Sequence, residues 1–294
     1  MRKPVDFLVV NLATSDAVFS AFLIPRFIVI HAFKHPHGQA GDLICKFFTG
    51  GNLTWTGGAA SVFTLVAIAL ERYYAVVFPH MIRHRFTRSQ AKFTSILAWL
   101  ASLLLNIPLF FVSVYSVDQD FCIESWASID MSKVYSMIWF ISVGVIPFSV
   151  MAYCYIRVIY NLWGRQSRTT PAAQLTVYRS RKKVTKIVLL VTLVYLFTWF
   201  PSLSYYAIVA YLGDQYSLGS IIHRINQILT AINAASNPFI YAFQSHSFRQ
   251  SVIHMWSQRT VRKHSAIDPI PLQTFSPVAR NMTDNRRFTI TARI

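Results

Sequence analysis

Asp16 sits in the middle of an apolar stretch, in the context Asn11-Leu12-Ala13-Thr14-Ser15-Asp16. A carboxylate among apolar side chains is costly unless it is neutral, hydrated or paired. The position therefore marks either a polar site or a protonated acid bonded to its own helix. A second group closes another apolar run: no charge interrupts Leu53 to Leu70, and Glu71, Arg72 and Tyr73 follow. That pair can act as a releasable charge lock, or as an Arg reaching for lipid headgroups beside its neighbour. Pro147, Pro201 and Pro238 interrupt three further apolar runs. Each removes an amide donor, freeing a carbonyl and bending the helix where one half can swing. Asn237 stands next to Pro238 and can bond such a carbonyl, and Tyr155 and Tyr241 add hydroxyls. None of this is a catalytic set. Asp16 has no second acid beside it and no His-Glu-x-x-His is present, so an enzyme is not expected.

The elements that must hold these groups are long apolar helices. The chain is 54% apolar and 13% charged, with mean hydropathy +0.40, too apolar for one water-soluble core. Six segments are long enough to cross a bilayer of about 30 Å at about 1.5 Å per residue: about 5–31, 42–77, 92–114, 134–160, 184–211 and 219–243. Past Tyr241, Phe248, Val252, Met255 and Trp256 share one face of a short amphipathic stretch, 245–256, which suits a helix on the membrane surface. Residues 257–294 read as a disordered polar tail. The fold class is all-α, a polytopic membrane helix bundle.

Charge sets the topology. The formal net charge of +17 suggests nucleic acid until the charges are placed. With the first span entered from the cytoplasm, 23 of the 28 Lys and Arg fall on inner segments, while Asp42, Asp118, Asp120, Glu124, Asp130 and Asp214 fall on outer ones. This is the positive-inside pattern, and it excludes a nucleic-acid reading. Cys45 and Cys122 both lie on the outer side, where a Cys45–Cys122 disulfide is expected, the alternative being two free thiols; Cys154 is packed in a helix. A voltage sensor or channel would need a periodic Arg helix or a re-entrant filter loop, and neither is visible.

Taken together, Asn11-Leu-Ala-x-x-Asp16, Glu71-Arg72-Tyr73, Trp99, the paired outer cysteines, Pro147 with Tyr155, Trp199-x-Pro201 and Asn237-Pro238-x-x-Tyr241 resemble the rhodopsin-like (class A) G-protein-coupled receptors, in order across residues 1–256. The resemblance implies a plasma-membrane receptor in which Glu71 restrains Arg72. Activation moves the helix of Trp199 and Pro201 outward and opens a cleft for a heterotrimeric G protein, with Tyr73, Tyr155 and Tyr241 at the coupling face. The acid that many relatives place at the inner end of that helix is here Arg181, so a second restraint on Arg72 is missing. The resemblance also implies no resident cofactor, but a sodium ion as an allosteric ligand on Asp16, Ser61, Asn233 and Asn237, a hard cation on oxygen donors. Pro147, Trp199, Pro201, Asn237, Pro238 and Tyr241 are the implied switch residues.

By the same register the ligand pocket comprises Thr54, Trp55, Gly58, Trp139, Tyr205, Tyr206, His223 and Gln227. Thr54 stands where amine receptors carry Asp, and Ala231 where opsins carry the retinal Lys, which argues against both ligand types. The outer acids and the pocket aromatics favour a cationic peptide, so a neuropeptide-type receptor is expected. Arrestin and a receptor kinase are further expected partners, through Ser265, Thr274, Ser276, Thr283, Thr289 and Thr291 of the tail. The glycosylation triplets at Asn52 and Asn281 are read as unused.

Two departures from the family stand out. Cys45 lies 27 residues before Arg72, a longer interval than relatives usually show, which predicts an irregular outer end around Gly50-Gly51 or Gly57-Gly58. The chain also begins where the first inner loop of a seven-span relative would lie, so six spans are expected, the family's seven minus the first. The alternative function is a truncated, non-signalling variant that pairs with full-length receptors.

Overall fold

A computed structural model describes residues 4–27, 34–79, 86–118, 120–163, 172–212 and 221–244, without the side chains of 163, 172–181, 238, 239 and 241–244. The surface helix expected at 245–256, the tail at 257–294 with its kinase sites, and the side chains of Arg181, Pro238 and Tyr241 lie outside the described residues.

Among the described residues, six long helices form the bundle. They are α1 (Pro4–Phe27); α2 (Gln39–Ile44) running through a wide π turn at Cys45–Thr49 into α3 (Asn52–Val77); α4 (Arg88–Val112); α5 (Ile129–Trp139) running through a second π turn at Phe140–Val145 into α6 (Ile146–Trp163); α7 (Ala172–Leu212); and α8 (Ile221–Gln244). Five of the six are long and apolar enough to cross a membrane; α8 is long enough but more polar, carrying Asn226, Gln227, Asn233 and Asn237 on its buried side.

The central element is α3, which packs against α1, α4, α6 and α7. Its small residues permit this. A Cβ on Gly57 would stand 2.7 Å from the Phe19 backbone nitrogen, so α1 and α3 meet almost backbone to backbone. Leu8, Leu12 and Phe19 of α1 interlock there with Ala59, Val62, Leu65 and Ile68 of α3. The opposite arrangement holds on α4, where Phe93, Leu97, Leu100, Leu104 and Phe111 are exposed: in a bilayer this is the lipid-facing side. Thr87 starts α4 with a reciprocal cap, its hydroxyl accepting from Gln90 N at 3.2 Å while its own N–H donates to Gln90 Oε1 at 2.8 Å.

The irregularity expected in the second span falls at Gly50-Gly51. The π turn ends there and Gly51 takes a left-handed backbone (φ 85°), which an L side chain rarely adopts. Asn52 supports the break by donating to Lys46 O (3.1 Å) and Leu109 O (3.3 Å) and accepting from Ser113 Oγ. At 2% exposure it is closed to glycosylation. The outer loop after α4 departs from a purely helical fold. Ser113–Ser116 (β1) and Phe121–Glu124 (β2) pair antiparallel as a hairpin, Tyr115 opposite Cys122. Cys122 is joined to Cys45, so the hairpin is fastened across the top of the bundle. His35 stacks on Tyr115 with ring centroids 3.9 Å apart, and its Nε2 lies 3.1 Å from Thr49 Oγ1, enclosing the bridge.

Candidate functional site

The polar side chains buried in this bundle fall into three layers along one axis. The outer layer is a cleft of about 570 Å³, mouth included, lined by Trp55, Trp139, Trp199, Tyr206, His223 and Gln227 with Arg26, Leu109, Glu124, Ser202 and Leu203. The disulfide positions its lid: Glu124 follows Cys122 by two residues, so the Cys45 tether carries that carboxylate over the cleft. Glu124 Oε2 accepts from Tyr206 OH at 2.8 Å and from Trp126 Nε1 at 2.9 Å, fastening the hairpin to α7. Burial pushes the Glu124 carboxyl above the usual range, against the lowering effect of those two hydrogen bonds and of Arg26. Arg26 sits across from it, donates to Gly50 O, and stacks its guanidinium 5.0 Å from the Phe121 ring centroid.

Of the eight expected pocket residues, five line this cleft. Thr54 is fully buried away from it with its hydroxyl unpartnered, Tyr205 lies behind the lining and faces His223, and Gly58 sits beneath Trp199. The sequence reading missed Arg26 and Glu124 as pocket residues. Glu124 was counted only among the outer acids and Arg26 was not singled out, although its place next to Pro25, near the outer end of α1, was a usable signal.

Trp199 separates the outer and middle layers. Its ring lies against Gly58, in the space a Cβ would fill, with centroids 6.0 Å from Phe19, 6.2 Å from Trp55 and 6.1 Å from Tyr195. Below it Asp16 is held at both oxygens, by Ser61 Oγ at 2.8 Å and by Asn237 Nδ2 at 2.6 Å, which ties α1 to α3 and α8. Asn237 Oδ1 and Asn233 Nδ2 are buried without a partner among the described residues. An unpartnered amide oxygen beside a carboxylate is a donor set that suits a small hard cation, with Asp16, Ser61 and Asn237 as its holders. Beside this layer Asn11 donates to Thr64 Oγ1 (2.7 Å) and accepts from Trp99 Nε1 (3.1 Å), locking α1, α3 and α4 together.

The inner layer holds the charge pair. Arg72 bonds Glu71 through Nε and its terminal nitrogen, and both are buried, at 9% and 6% exposure. One helix over, Tyr155 OH receives a hydrogen bond from Thr192 Oγ1 at 3.2 Å, joining α6 to α7. Higher on the same interface Tyr195 OH donates to Val143 O within the second π turn. Neither Thr192 nor Tyr195 was singled out from sequence. Pro147 explains the second contact: with no N–H at 147, the carbonyl four residues earlier loses its helical donor, and a hydroxyl from α7 replaces it.

Comparison with known proteins agrees with this layered bundle. The model of the 7 transmembrane receptor (rhodopsin family) matches residues 1–241. A QRFP-like peptide receptor of Branchiostoma floridae is 25% identical over 93% of this chain and 74% of its own length. A pyroglutamylated RF-amide peptide receptor of Rattus norvegicus is 25% identical over 86% of the chain and 62% of its own length. A Gq-coupled rhodopsin of Mizuhopecten yessoensis is likewise 25% identical over 86% of the chain, and the chain spans 52% of it. With a family match across most of its length, the chain belongs to the rhodopsin family of seven-transmembrane receptors.

Proposed function

We propose that this plasma-membrane, multi-pass receptor binds an extracellular peptide and activates a heterotrimeric G protein, through outward movement of the inner half of α7 about Pro201. One observation carries the reading: Trp199 is at once the floor of the cleft and the roof of the Asp16 layer. A ligand pressing on that ring changes the packing against Gly58 and Phe19, and with it the angle at which α7 leaves Pro201. The inner end of α7 then parts from α6 at Thr192–Tyr155, and Arg72 is released from Glu71 toward the G protein. In the resting arrangement a sodium ion on Asp16, Ser61 and Asn237, with Asn233 nearby, would hold α1, α3 and α8 together and oppose that movement.

The peptide class rests on the outer acids and on the relatives. Two of them are named as peptide receptors, and the outer hairpin and the start of α5 carry exposed Asp118, Asp120 and Asp130, which favour a peptide with a cationic body. The opsin-like relative does not transfer its chemistry, because Ala231 offers no amine for a retinal Schiff base. Its name does suggest Gq as the first G-protein class to try. The test is a G-protein dissociation reporter in cells expressing the chain, challenged with a peptide collection and a lipid collection. Peptide agonists that lose efficacy in Arg72→Ala support the reading, and agonism confined to lipids contradicts it.

A further inference from the structure

Outside the three layers lies a buried cluster of metal-ligating groups: His35, Cys45 and Cys122, with Thr49 among them. All four are buried, at 5% exposure or less. The ligand atoms of His35 and the two cysteines lie within 4.8 Å of one another, and His35 Nε2 stands 4.0 Å from Cys45 Sγ. Thr49 Oγ1 faces all three, at 3.1 Å from His35 Nε2, 3.2 Å from Cys122 Sγ and 3.8 Å from Cys45 Sγ.

While the sulfurs are bonded to each other, the cluster is a tether. Reduction turns it into two thiolates, an imidazole and an oxygen, a donor set that suits zinc. With Zn–S about 2.3 Å and Zn–N about 2.0–2.1 Å, tetrahedral neighbours stand roughly 3.5–3.8 Å apart. His35 Nε2 and Cys45 Sγ are already near that spacing, and a Cα separation of 5.7 Å lets the two sulfurs part to it by side-chain rotation. The imidazole is oriented for the role. Its Nδ1 lies 3.3 Å from Pro36 O, and because a carbonyl only accepts, the proton sits on Nδ1 and Nε2 turns its lone pair to the sulfurs. The stack on Tyr115 fixes the ring plane. Two thiolates cancel the charge of a divalent ion, so the filled site is neutral where it is buried. Lys34 and His37, on either side of the His35–Pro36 pair, are exposed, which leaves a short path from outer solvent.

We propose that, once its disulfide is reduced, this cluster binds a zinc ion through His35 Nε2, Cys45 Sγ and Cys122 Sγ, with an oxygen of Thr49 or of a water in the fourth position. The metal then holds the hairpin over the cleft in place of the covalent bond. An external thiol supplies the reduction: two of its molecules pair as a disulfide and give two electrons and two protons to the Cys45–Cys122 bond, which opens to two thiols. Zinc binding releases those two protons to solvent, and no electron moves in that step.

The test uses the full chain in lipid nanodiscs, reduced without air by a phosphine so that no added thiol competes for metal. Cobalt(II) is the probe, because thiolate ligation gives it a charge-transfer absorption that zinc lacks. The reduced chain should develop that absorption and lose it when zinc is added, and the oxidised chain should show none. His35→Ala should weaken cobalt binding by at least the about 10–100-fold that an outer-shell partner is worth, and Cys154→Ser should leave it unchanged. Zinc should also raise the melting temperature of the reduced chain above its value in chelator. That rise should vanish in His35→Ala, whose oxidised form, with its bridge intact, reports that the variant folds. A reduced chain that keeps its helical circular dichroism but shows no cobalt absorption overturns the proposal. So does a reduced chain that unfolds whether or not zinc is present, and so does binding that survives His35→Ala or that needs Cys154.

Discussion

The hydroxyl of Tyr195 donates to the carbonyl of Val143, the acceptor that Pro147 leaves without a helical donor. A proline bend in one helix is thereby tied to α7, one turn from Trp199. Removing the hydroxyl orphans a buried carbonyl in the resting state, at about 1–3 kcal/mol. Tyr195→Phe should therefore raise agonist-free signalling severalfold and lower the melting temperature of the purified chain. Unchanged basal signalling would mean that the bond survives activation.

Gly58 gives Trp199 its place. A Cβ at that position would meet the far edge of the indole, whose ring is wedged between Phe19, Trp55 and Tyr195 and has little room to yield. Gly58→Ala should cost about 1–3 kcal/mol by overpacking and alter the response to agonist without changing surface display. Thermal denaturation together with a concentration–response curve reads both effects.

The fold was legible wherever it depends on periodicity and on special residues. The six long helices and the outer Cys45–Cys122 bridge follow from local composition and from which side of the membrane a segment occupies, while the break was expected from the long Cys45-to-Arg72 interval at Gly50-Gly51 or Gly57-Gly58 and falls at the first. The hairpin was not, because Ser113–Ser116 and Phe121–Glu124 are too short to carry a pattern, and their pairing depends on the tether at Cys122. Thr192, Tyr195, Arg26 and Glu124 escaped notice for a related reason. Each is ordinary in its own segment and gains a role only when a carbonyl, a hydroxyl or a charge arrives from another helix.

The lid depends on the disulfide. Cys45 and Cys122 close a loop with a sequence separation of 77, and such a bridge typically contributes about 2–5 kcal/mol. Cys122→Ser should free Glu124 from its position over the cleft and abolish peptide binding, with reduced surface display. Saturation binding normalised to displayed receptor separates the two losses.

Glu124 predicts a pH dependence with a definite sign. Its carboxyl titrates above the ordinary value of 4.5 because burial disfavours the charged form. The folded state then holds its proton more tightly than the unfolded chain. The associated stability is complete below pH 4.5 and is lost as pH rises through the higher folded value. Melting temperatures of the solubilised chain measured from pH 4 to about 7 should show this decline, and Glu124→Gln should remove that component.

If Asp16 holds a sodium ion in the resting state, agonist affinity should fall as sodium replaces a larger organic cation in the buffer, and Asp16→Asn should abolish the difference. Affinity indifferent to sodium in the unmodified chain removes the ion from the mechanism and leaves the Asp16–Ser61–Asn237 ties as structural.

The central claim is that the inner face of this bundle activates a G protein through Arg72, and it can be tested without knowing the ligand. The Tyr195→Phe chain, in lipid nanodiscs with purified heterotrimers beginning with the Gq class, should accelerate nucleotide exchange severalfold over empty discs. The Tyr195→Phe, Arg72→Ala double variant should return exchange to the empty-disc rate. Exchange at the empty-disc rate with every heterotrimer tried, from a chain shown to be folded by its intact disulfide, would contradict the account.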